Sequence, residues 1–313
     1  MDRSLPIAVL LVAGCTAQSQ TPEPETLAFA EKVIAVPGFV DFLTIDEDTT
    51  WATNRGRVEQ WSTGGLAASV EVPRPCGTMA LLDQALWVAN CEDANLYRID
   101  IETAQVETII ETGIAEPRGE TNVVAGAGSV WVPSDAAGKI SRIDPATNEV
   151  IATIEVVPET FFLAFGLDAL WAVSSSERLL QKIDPATNAA IGSVELGKQP
   201  GFLAAGEGAV WVQEQGDGTV ARVDPETLKV TGRTQVDETL LYGDIDTGAG
   251  KVWLRTTEGQ TFVVLNAEDG EILARVGRPE GSGAIRYTPN GIWTSAHDVE
   301  SINWWTNTEI ETD

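Results

Sequence analysis

Short apolar segments separated by polar turn residues run through almost the whole chain. The unit around residue 211 shows the pattern most clearly, with apolar segments at 202–204, 209–212, 219–223 and 229–231. Segments of about four to seven residues, rich in Val, Ile, Thr and aromatic residues and bounded by Gly, Asp, Asn or Pro, favour strand over helix. No stretch keeps apolar residues at helical spacing for long enough to compete. The unit therefore predicts four short strands.

Seven tryptophans, one in the second predicted strand of each unit, mark the period of this pattern. They are separated by 36, 44, 40, 40, 42 and 40 residues and comprise Trp51, Trp87, Trp131, Trp171, Trp211, Trp253 and Trp293. Four-stranded units repeated near this period are typical of β-propellers. One large ring per unit suits packing between adjacent sheets. We therefore predict an all-β, seven-bladed β-propeller with four strands in each blade.

The two ends of the chain are expected to complete one blade together. After the seventh tryptophan, 292–294 and 302–305 supply a second and a third strand, and no fourth follows. Segment 32–36, before the first complete unit, resembles the fourth-type strand at 150–154. Pairing the two ends removes exposed sheet edges. The sequence thus predicts a ring closed by an N-terminal strand.

A turn motif recurs between the third and fourth predicted strands. It reads Ile-Asp-Pro-Ala-Thr-Asn at 143–148 and 183–188, and Val-Asp-Pro-Glu-Thr at 223–227. Asp followed by Pro suits a type I turn. The aspartate carboxylate accepts hydrogen bonds from nearby backbone amides, and the proline ring fixes φ. The sixth unit weakens the motif to Leu-Asn-Ala-Glu-Asp at 265–269, which a turn tolerates and a metal site would not. We interpret the motif as a hairpin turn rather than a calcium or catalytic site.

The repeat resembles a known group of propellers. Trp-Ala-Thr-Asn at 51–54 and Trp-Val-Ala-Asn at 87–90, together with the Asp-Pro turns and the strand at 149–154, resemble the YVTN-repeat (YncE-like) β-propellers. The resemblance covers about residues 32–310. It implies the fold and little about activity, because the repeated residues are those that build blades.

The pattern is also similar, more weakly, to that of the virginiamycin B lyase-like propellers. This resemblance implies a catalytic histidine near metal-binding glutamates. The chain has one histidine, His297. Glu214 is the only glutamate that stands three positions after one of the seven repeated tryptophans. An alternative hypothesis is therefore a metal-assisted lyase or hydrolase, in which His297 with Glu214 or Glu159 holds a divalent ion. Calcium or magnesium is the cation left open, and no other cofactor is predicted.

The N-terminal segment predicts export. Arg3 is followed by an apolar run at 5–13 and then by Gly14 and Cys15. A short apolar run after a basic residue indicates a secretory signal, since a membrane span needs about twenty apolar residues. Val-Ala-Gly-Cys resembles a bacterial lipobox, which implies cleavage before Cys15, acylation of its thiol and a place in the cell envelope, on the periplasmic or surface side. The expected domains are a lipoprotein-type signal peptide at 1–15, a flexible tether at 16–31 and the propeller at 32–313.

The two remaining cysteines belong to the second unit. Cys76 lies in the loop before its first strand, and Cys91 lies just after its second strand. In propellers those two loop types open on the same face, so a disulfide between them is geometrically reasonable. An exported compartment would let it persist. Two reduced cysteines are the alternative, and a zinc site lacks further Cys or His nearby.

Charge excludes one class of partner. The chain carries 47 acidic and 20 basic residues, with a formal net charge of −27. An anionic surface repels phosphate backbones and acidic lipid headgroups. We therefore expect no nucleic-acid partner and membrane contact only through the lipid anchor, with the propeller acting as a monomer. The acidity fits either a saline habitat or a need for solubility.

The face that carries the loops before the first strands and after the second strands is the expected binding site. Those loops ring the central channel, and concave openings are the usual place for ligands. The fourth position after each tryptophan varies strongly, as Arg55, Cys91, Asp135, Ser175, Gln215, Thr257 and His297, and the loops before first strands add Arg118. The predicted ligand-binding residues are Arg55, Glu120, Asp135, Glu159, Glu214, Tyr242, Arg255 and His297.

These residues predict a ligand- or protein-binding module at the channel face, with a small polar ligand or an envelope protein as partner. His297 followed by Asp298 is the weak catalytic candidate, because a carboxylate can orient an imidazole as general base. The chain lacks a Gly-x-Ser-x-Gly elbow, a phosphate-binding glycine loop and a His-Glu-x-x-His motif. Besides the enzyme, an envelope scaffold protein remains an alternative.

Overall fold

The fold is a closed ring of seven β-sheets. The computed structural model describes residues 27–240, 243–255 and 259–308. These residues form seven sheets of four antiparallel strands, and the first strands of neighbouring blades contact one another all the way around. The predicted all-β, seven-bladed propeller is therefore confirmed. Within the same residues, no helix has the length and apolar character that crossing a membrane requires.

Strands follow chain order from the central channel to the outer rim in blades one to six. Blades one and two contain β2 (Leu43–Asp46), β3 (Thr49–Asn54), β4 (Arg57–Ser62), β5 (Gly65–Glu71), β6 (Ala80–Leu82), β7 (Ala85–Asn90), β8 (Asn95–Asp100) and β9 (Gln105–Ile110). Blades three and four contain β10 (Val124–Gly126), β11 (Ser129–Asp135), β12 (Lys139–Asp144), β13 (Glu149–Glu155), β14 (Thr160–Gly166), β15 (Ala169–Ser174), β16 (Leu179–Asp184) and β17 (Ala189–Glu195). Blades five and six contain β18 (Pro200–Gly206), β19 (Ala209–Glu214), β20 (Thr219–Asp224), β21 (Lys229–Gln235), β22 (Asp244–Gly248), β23 (Lys251–Arg255), β24 (Phe262–Asn266) and β25 (Ile272–Val276).

The seventh blade joins the two ends of the chain. It contains β26 (Ile285–Thr288), β27 (Gly291–Ala296), β28 (Ser301–Asn307) and, on its outer edge, β1 (Phe29–Ala35). Strand β1 pairs antiparallel with β28, with Ile34 opposite Ile302. This pairing confirms the predicted ring closure. The strand begins at Phe29, earlier than residue 32, where the propeller was expected to start.

The seven repeated tryptophans pack between blades. Each is at most 3 % exposed. Trp51 of blade one lies in one cluster with Leu86, Val88 and Ile99 of blade two. Burying one such ring removes about 150–250 Å² of apolar surface from water. The predicted packing role is therefore confirmed, and these rings belong to the core rather than to a binding surface.

The Asp-Pro turns also join neighbouring blades. In the turn between β12 and β13, Oδ1 of Asp144 accepts the Ala146 amide at 2.8 Å, and Asn148 adopts a left-handed φ of 61°. Arg98 of the preceding blade stacks over Trp87 at 5.2 Å and donates to Oδ1 of Asn148 at 2.7 Å. The predicted hairpins are confirmed, and each of the three Asp-Pro turns also receives a basic side chain from the blade before it.

Candidate ligand-binding site

Three phenylalanines block the central channel. Phe42 of blade one and Phe202 of blade five have ring centroids 6.0 Å apart, and Phe162 of blade four lies 4.9 Å from Phe202. Blades one and five stand on opposite sides of the ring, so these rings meet across the channel. We call this group the aromatic plug. It leaves one cavity on each side instead of a continuous pore.

The cavity above the aromatic plug, which we call the upper cup, lies on the predicted face. It has a volume of about 370 Å³. Its walls come from two kinds of loop: DA loops, which lead into the first strand of a blade, and BC loops, which follow the second strand. The contributing loops belong to blades seven, one, two and three. The lining residues that carry charge or an aromatic ring are Phe39, Asp41, Phe42, Arg55, Arg74, Arg118, Glu120 and His297.

Asn54, the last residue of β3, holds the blade-one wall of the upper cup. Its Oδ1 accepts the amides of Phe39 at 2.6 Å and Arg55 at 2.7 Å, and its Nδ2 donates to Pro37 O at 3.1 Å. The DA loop and the BC loop of this blade are thereby tied to one buried side chain. Gly38 approaches so closely that a Cβ there would lie 2.3 Å from the Asn54 amide oxygen. The rigid loop pair sets where Phe39 and Arg55 stand.

A disulfide holds the blade-two wall. The structure joins Cys76 of the DA loop to Cys91 of the BC loop, with Cα atoms 5.9 Å apart, a separation typical of such bonds. Asn90 repeats the role of Asn54, because its Oδ1 accepts the Arg74 amide at 3.0 Å. Gly77 has a φ of 86°, and a Cβ there would lie 1.7 Å from the Thr121 carbonyl oxygen. Arg74 therefore projects from a loop fixed at both ends.

Acidic groups lie deep in the upper cup. Burial raises the pKa of Asp41 well above its usual range, and the carboxyls of Glu120 and Asp244 raise it further. The Glu120 side chain is open to water, yet protein encloses it on most sides, as expected inside a channel. This desolvation, with the charge of Asp244, raises the pKa of Glu120 to about 7. The cup therefore holds two carboxyl groups that are easier to protonate than usual.

Arg255 lies behind this acidic region instead of on the surface. It is fully buried and donates to the Thr261 carbonyl at 2.7 Å and the Ser295 carbonyl at 3.1 Å. Burial lowers its pKa to about 10, against the opposing effect of Glu280 and other acids. Its charge acts on Asp41 through space, lowering the pKa of that carboxyl in part. Arg255 supports the site without lining the cup.

His297 forms part of the wall with Phe39. The two rings stack with centroids 4.1 Å apart and planes 18° apart. The Nδ1 atom lies 2.9 Å from Oδ1 of Asp298, although the direction is poor for a hydrogen bond. Burial lowers the pKa of His297 while Asp298 opposes that shift. The imidazole is therefore neutral at pH 7 and presents a flat, uncharged surface to the cup.

The predicted site residues do not all meet in the upper cup. Arg55, Glu120 and His297 line the upper cup. Asp135 and Glu159 are exposed on other loops of the same face; the Asp135 carboxylate accepts the Ala137 amide at 2.9 Å, and the Glu159 amide donates to the Ala136 carbonyl at 2.8 Å. Neither is among the residues that line the cup. Two further predicted residues, Tyr242 and the lipidation site Cys15, lie outside the described residues.

Glu214 is a structural residue in this fold. It is fully buried, and its carboxylate accepts the Gly197 amide at 2.6 Å, the Thr219 hydroxyl at 2.7 Å and Arg233 at 2.8 and 3.0 Å. It occupies the position of Asn54 in its blade and ties the DA loop to the strands. Among the described parts of the chain, no group of three or more His, Cys, Asp or Glu side chains is arranged to hold a metal.

Sequence reasoning missed several residues of the upper cup. Phe39, Asp41 and Phe42 precede the first complete repeat, where the alignment on tryptophans began. Arg74 precedes Cys76 in a loop that was considered only for its cysteine. A comparison of all seven DA loops would have placed Asp41 and Arg74 beside Arg118 and Glu120. The meeting of Phe42 with Phe202 has no local signal, because they lie far apart in the chain.

The charged groups that line the cavity below the aromatic plug already bond to other groups of the protein. The cavity has a volume of about 350 Å³ and is lined by first strands, including Asp244, Asp246 and Arg286. Arg286 bonds the Asp244 carboxylate, and Oδ2 of Asp246 accepts the Tyr287 amide at 2.8 Å. Burial raises the pKa of both aspartates while Arg286 opposes it. These groups already have partners within the protein, so the upper cup is the better candidate site.

Comparisons with known proteins support the fold alone. No family model matches the chain, and no curated protein matches its sequence. The virginiamycin B lyase structure from Staphylococcus aureus has a TM-score of 0.73 and 15 % identity, covering 90 % of this chain and 100 % of that one. A streptogramin B lyase structure has a TM-score of 0.77, 13 % identity and coverages of 91 % and 100 %. BamB from Moraxella catarrhalis has a TM-score of 0.62, 17 % identity and 86 % coverage of each chain.

Proposed function

We propose that this chain is a binding module that takes a small polar ligand into the upper cup. One observation carries the proposal: Arg55, Glu120 and His297, which stand where the repeat varies, come from three blades and line a single cavity. Phe42 of the aromatic plug lines that cavity. A ligand entering from the loop face would therefore stop in the cup instead of crossing the ring.

The local geometry suits binding by pre-formed walls. Asn54 and Asn90 tie DA loops to BC loops in two neighbouring blades, and a disulfide adds a covalent tie. Walls fixed before binding lose little conformational entropy when a ligand arrives. The cup also offers stacked rings beside charged groups, the mixture found in most small-molecule sites.

A thermal-shift screen with polar metabolites and metal ions tests this proposal, because ligands that bind the folded state raise its stability. The site variant combines Arg55→Ala, Glu120→Ala and His297→Ala. The matched control combines Asp135→Ala and Glu159→Ala, which alter the same face outside the cup. We expect hits that the site variant loses and the control keeps. Hits that survive the site variant would contradict binding in the cup.

The proposal includes export and anchoring through Cys15. A disulfide in the propeller is consistent with an oxidising compartment. Labelling cells with a clickable palmitate analogue tests the anchor: the wild-type chain should be labelled and the Cys15→Ser chain should not. Equal labelling of both chains, or labelling of neither, would contradict lipidation at this residue.

A lyase is the second candidate function. Two structures of similar fold are lyases by name, and His297 in the cup is a neutral imidazole able to accept a proton. Incubation with virginiamycin B and magnesium, followed by mass spectrometry, tests it. Conversion that His297→Ala abolishes would support this candidate. Unchanged antibiotic with the wild-type chain would contradict it and leave the binding proposal standing.

A further inference from the structure

The arginines of this chain fall into two classes. Ten of the thirteen in the described residues have a side-chain hydrogen bond, ion pair or comparable partner; Arg278, for example, is 63 % exposed and still pairs with Glu280 at 2.7 Å. The other three are Arg55, Arg74 and Arg118, whose side chains have no such partner in those residues. In a chain with 47 acidic residues, an arginine has many opportunities to find a carboxylate.

All three unpaired arginines line the upper cup. They come from three different loops: the BC loop of blade one and the DA loops of blades two and three. Glu116, two residues before Arg118, uses its Oε1 atom to accept the Arg118 backbone amide at 2.9 Å. Like charges gathered at one opening repel one another. A bound anion would relieve that repulsion.

The inner part of the cup carries carboxyl groups instead of guanidinium groups, and these also lack a partner. Asp41 and Glu120 line the cup, and neither carboxyl has a side-chain hydrogen bond or ion pair within 4 Å in the described part of the chain. Arg255, nearby, donates to the Thr261 and Ser295 carbonyls. The carboxyls of Glu120 and Asp244 already raise the pKa of Asp41, and Asp244 raises that of Glu120, so this part of the cup disfavours a further negative charge.

We infer that the upper cup binds a small zwitterion, with its carboxylate at Arg55, Arg74 and Arg118 and its ammonium group at Asp41 and Glu120. The inference rests on the proposed function and names the ligand class for the same site. Guanidinium groups suit a carboxylate because their fork of N–H donors matches its two oxygens. The stacked faces of Phe39 and His297 provide a wall for the uncharged middle of the ligand.

The test uses probes that differ only in their charged ends. Calorimetric titration of the full chain would compare 4-aminobutyrate and 6-aminohexanoate with butyrate, hexanoate, butylamine and hexylamine. We expect the zwitterions to bind at least about tenfold more tightly than either the acids or the amines of equal length. Amines that bind as tightly as zwitterions, or no binding by any probe, would overturn the inference.

Single variants assign the two ends of the ligand. Arg55→Gln, Arg74→Gln and Arg118→Gln should each weaken zwitterion binding about tenfold, the loss of one charge-assisted contact. Asp41→Asn should weaken it similarly, while Lys229→Gln, which removes a positive charge from the outer strand β21, should not. If Lys229→Gln weakened zwitterion binding equally, the net charge of the chain would explain the effect, and the inference would be overturned. The proposed function fails separately, if the broad screen yields no ligand whose binding depends on the cup.

Discussion

Arg142 of blade three donates from Nη1 to Oδ1 of Asn188 in blade four at 2.8 Å, while its guanidinium lies 4.6 Å from the centroid of Trp131. One side chain thus links its own tryptophan to the turn of the next blade. Arg98 forms the same link one blade earlier, and Lys182 reaches the Pro225 carbonyl at 2.9 Å one blade later. The repeated turn motif therefore has two roles, reversing the chain and holding adjacent blades together.

The link fails where the motif changes. Blade six lacks the Pro-Ala-Thr-Asn sequence, and Arg222 of blade five bonds Thr231 within its own blade at 3.1 Å instead. We therefore expect the contact between blades five and six to be weaker than its neighbours. Hydrogen exchange should show earlier amide exchange at β21 and β25 than at β13 and β17. Equal protection at all four strands would contradict this expectation.

The Arg142–Asn188 link can be measured by mutation. Asn188 has a φ of 55°, so Asn188→Gly keeps the turn without strain and removes only the side chain. We expect a loss of about 1–2 kcal/mol in unfolding free energy, the usual cost of losing a charge-assisted hydrogen bond. Denaturant unfolding in a double-mutant cycle with Arg142→Gln provides the check. Additive effects would mean that the two side chains do not act together.

Removing the disulfide should affect both stability and binding. Cys76→Ser with Cys91→Ser opens a loop of 15 residues, and such a bond contributes about 3 kcal/mol to stability. We expect that loss in unfolding free energy, together with weaker ligand binding, because Arg74 is carried by the released loop. A reductant should destabilise the wild-type chain and leave the double variant unchanged. An unaffected wild-type chain would contradict the bond.

Glu214 and Glu120 should respond to mutation in opposite ways. Glu214→Gln leaves part of a buried network unpaired, which costs about 1–3 kcal/mol. Hydrogen bonds to Arg233 and Thr219 hold the pKa of Glu214 below its usual value although burial opposes them. Its stabilising effect is therefore present above about pH 4.5 and is lost on further acidification. Ligand affinity should not change, and a loss of affinity at unchanged stability would give Glu214 the role first predicted for it.

Glu120 should make binding and stability depend on pH near neutrality. Its pKa is raised to about 7, so the folded state holds a proton that the unfolded chain releases near pH 4.5. The stabilisation that Glu120 contributes is complete below about pH 4.5 and is lost as the pH rises through 7. Binding of an ammonium group should strengthen over the same range, since it needs the carboxylate. Glu120→Gln should flatten both profiles between pH 6 and 8, measured by thermal unfolding and calorimetry; unchanged profiles would contradict this role.

The repeat could be predicted because its signals are local. Each unit repeats the same short strands and tryptophan, with an Asp-Pro turn in three of them, and the repetition together with the spare strand near residue 32 specifies blade number, register and ring closure. The same register identified the face of the site and three of its residues, Arg55, Glu120 and His297. Glu214 was assigned less well, since a buried glutamate with an arginine partner looks identical in sequence to one that faces a ligand.

The sequence by itself therefore determined the ring, because each blade repeats one set of short-range interactions. Only the tertiary structure decided which side chains meet in the channel. It brings Phe42 against Phe202 across the channel and gathers Arg55, Arg74 and Arg118 around Asp41 and Glu120. Those contacts join blades distant in sequence and arise from closure of the whole ring. No local pattern encodes them, because each depends on where the other blades have placed their loops.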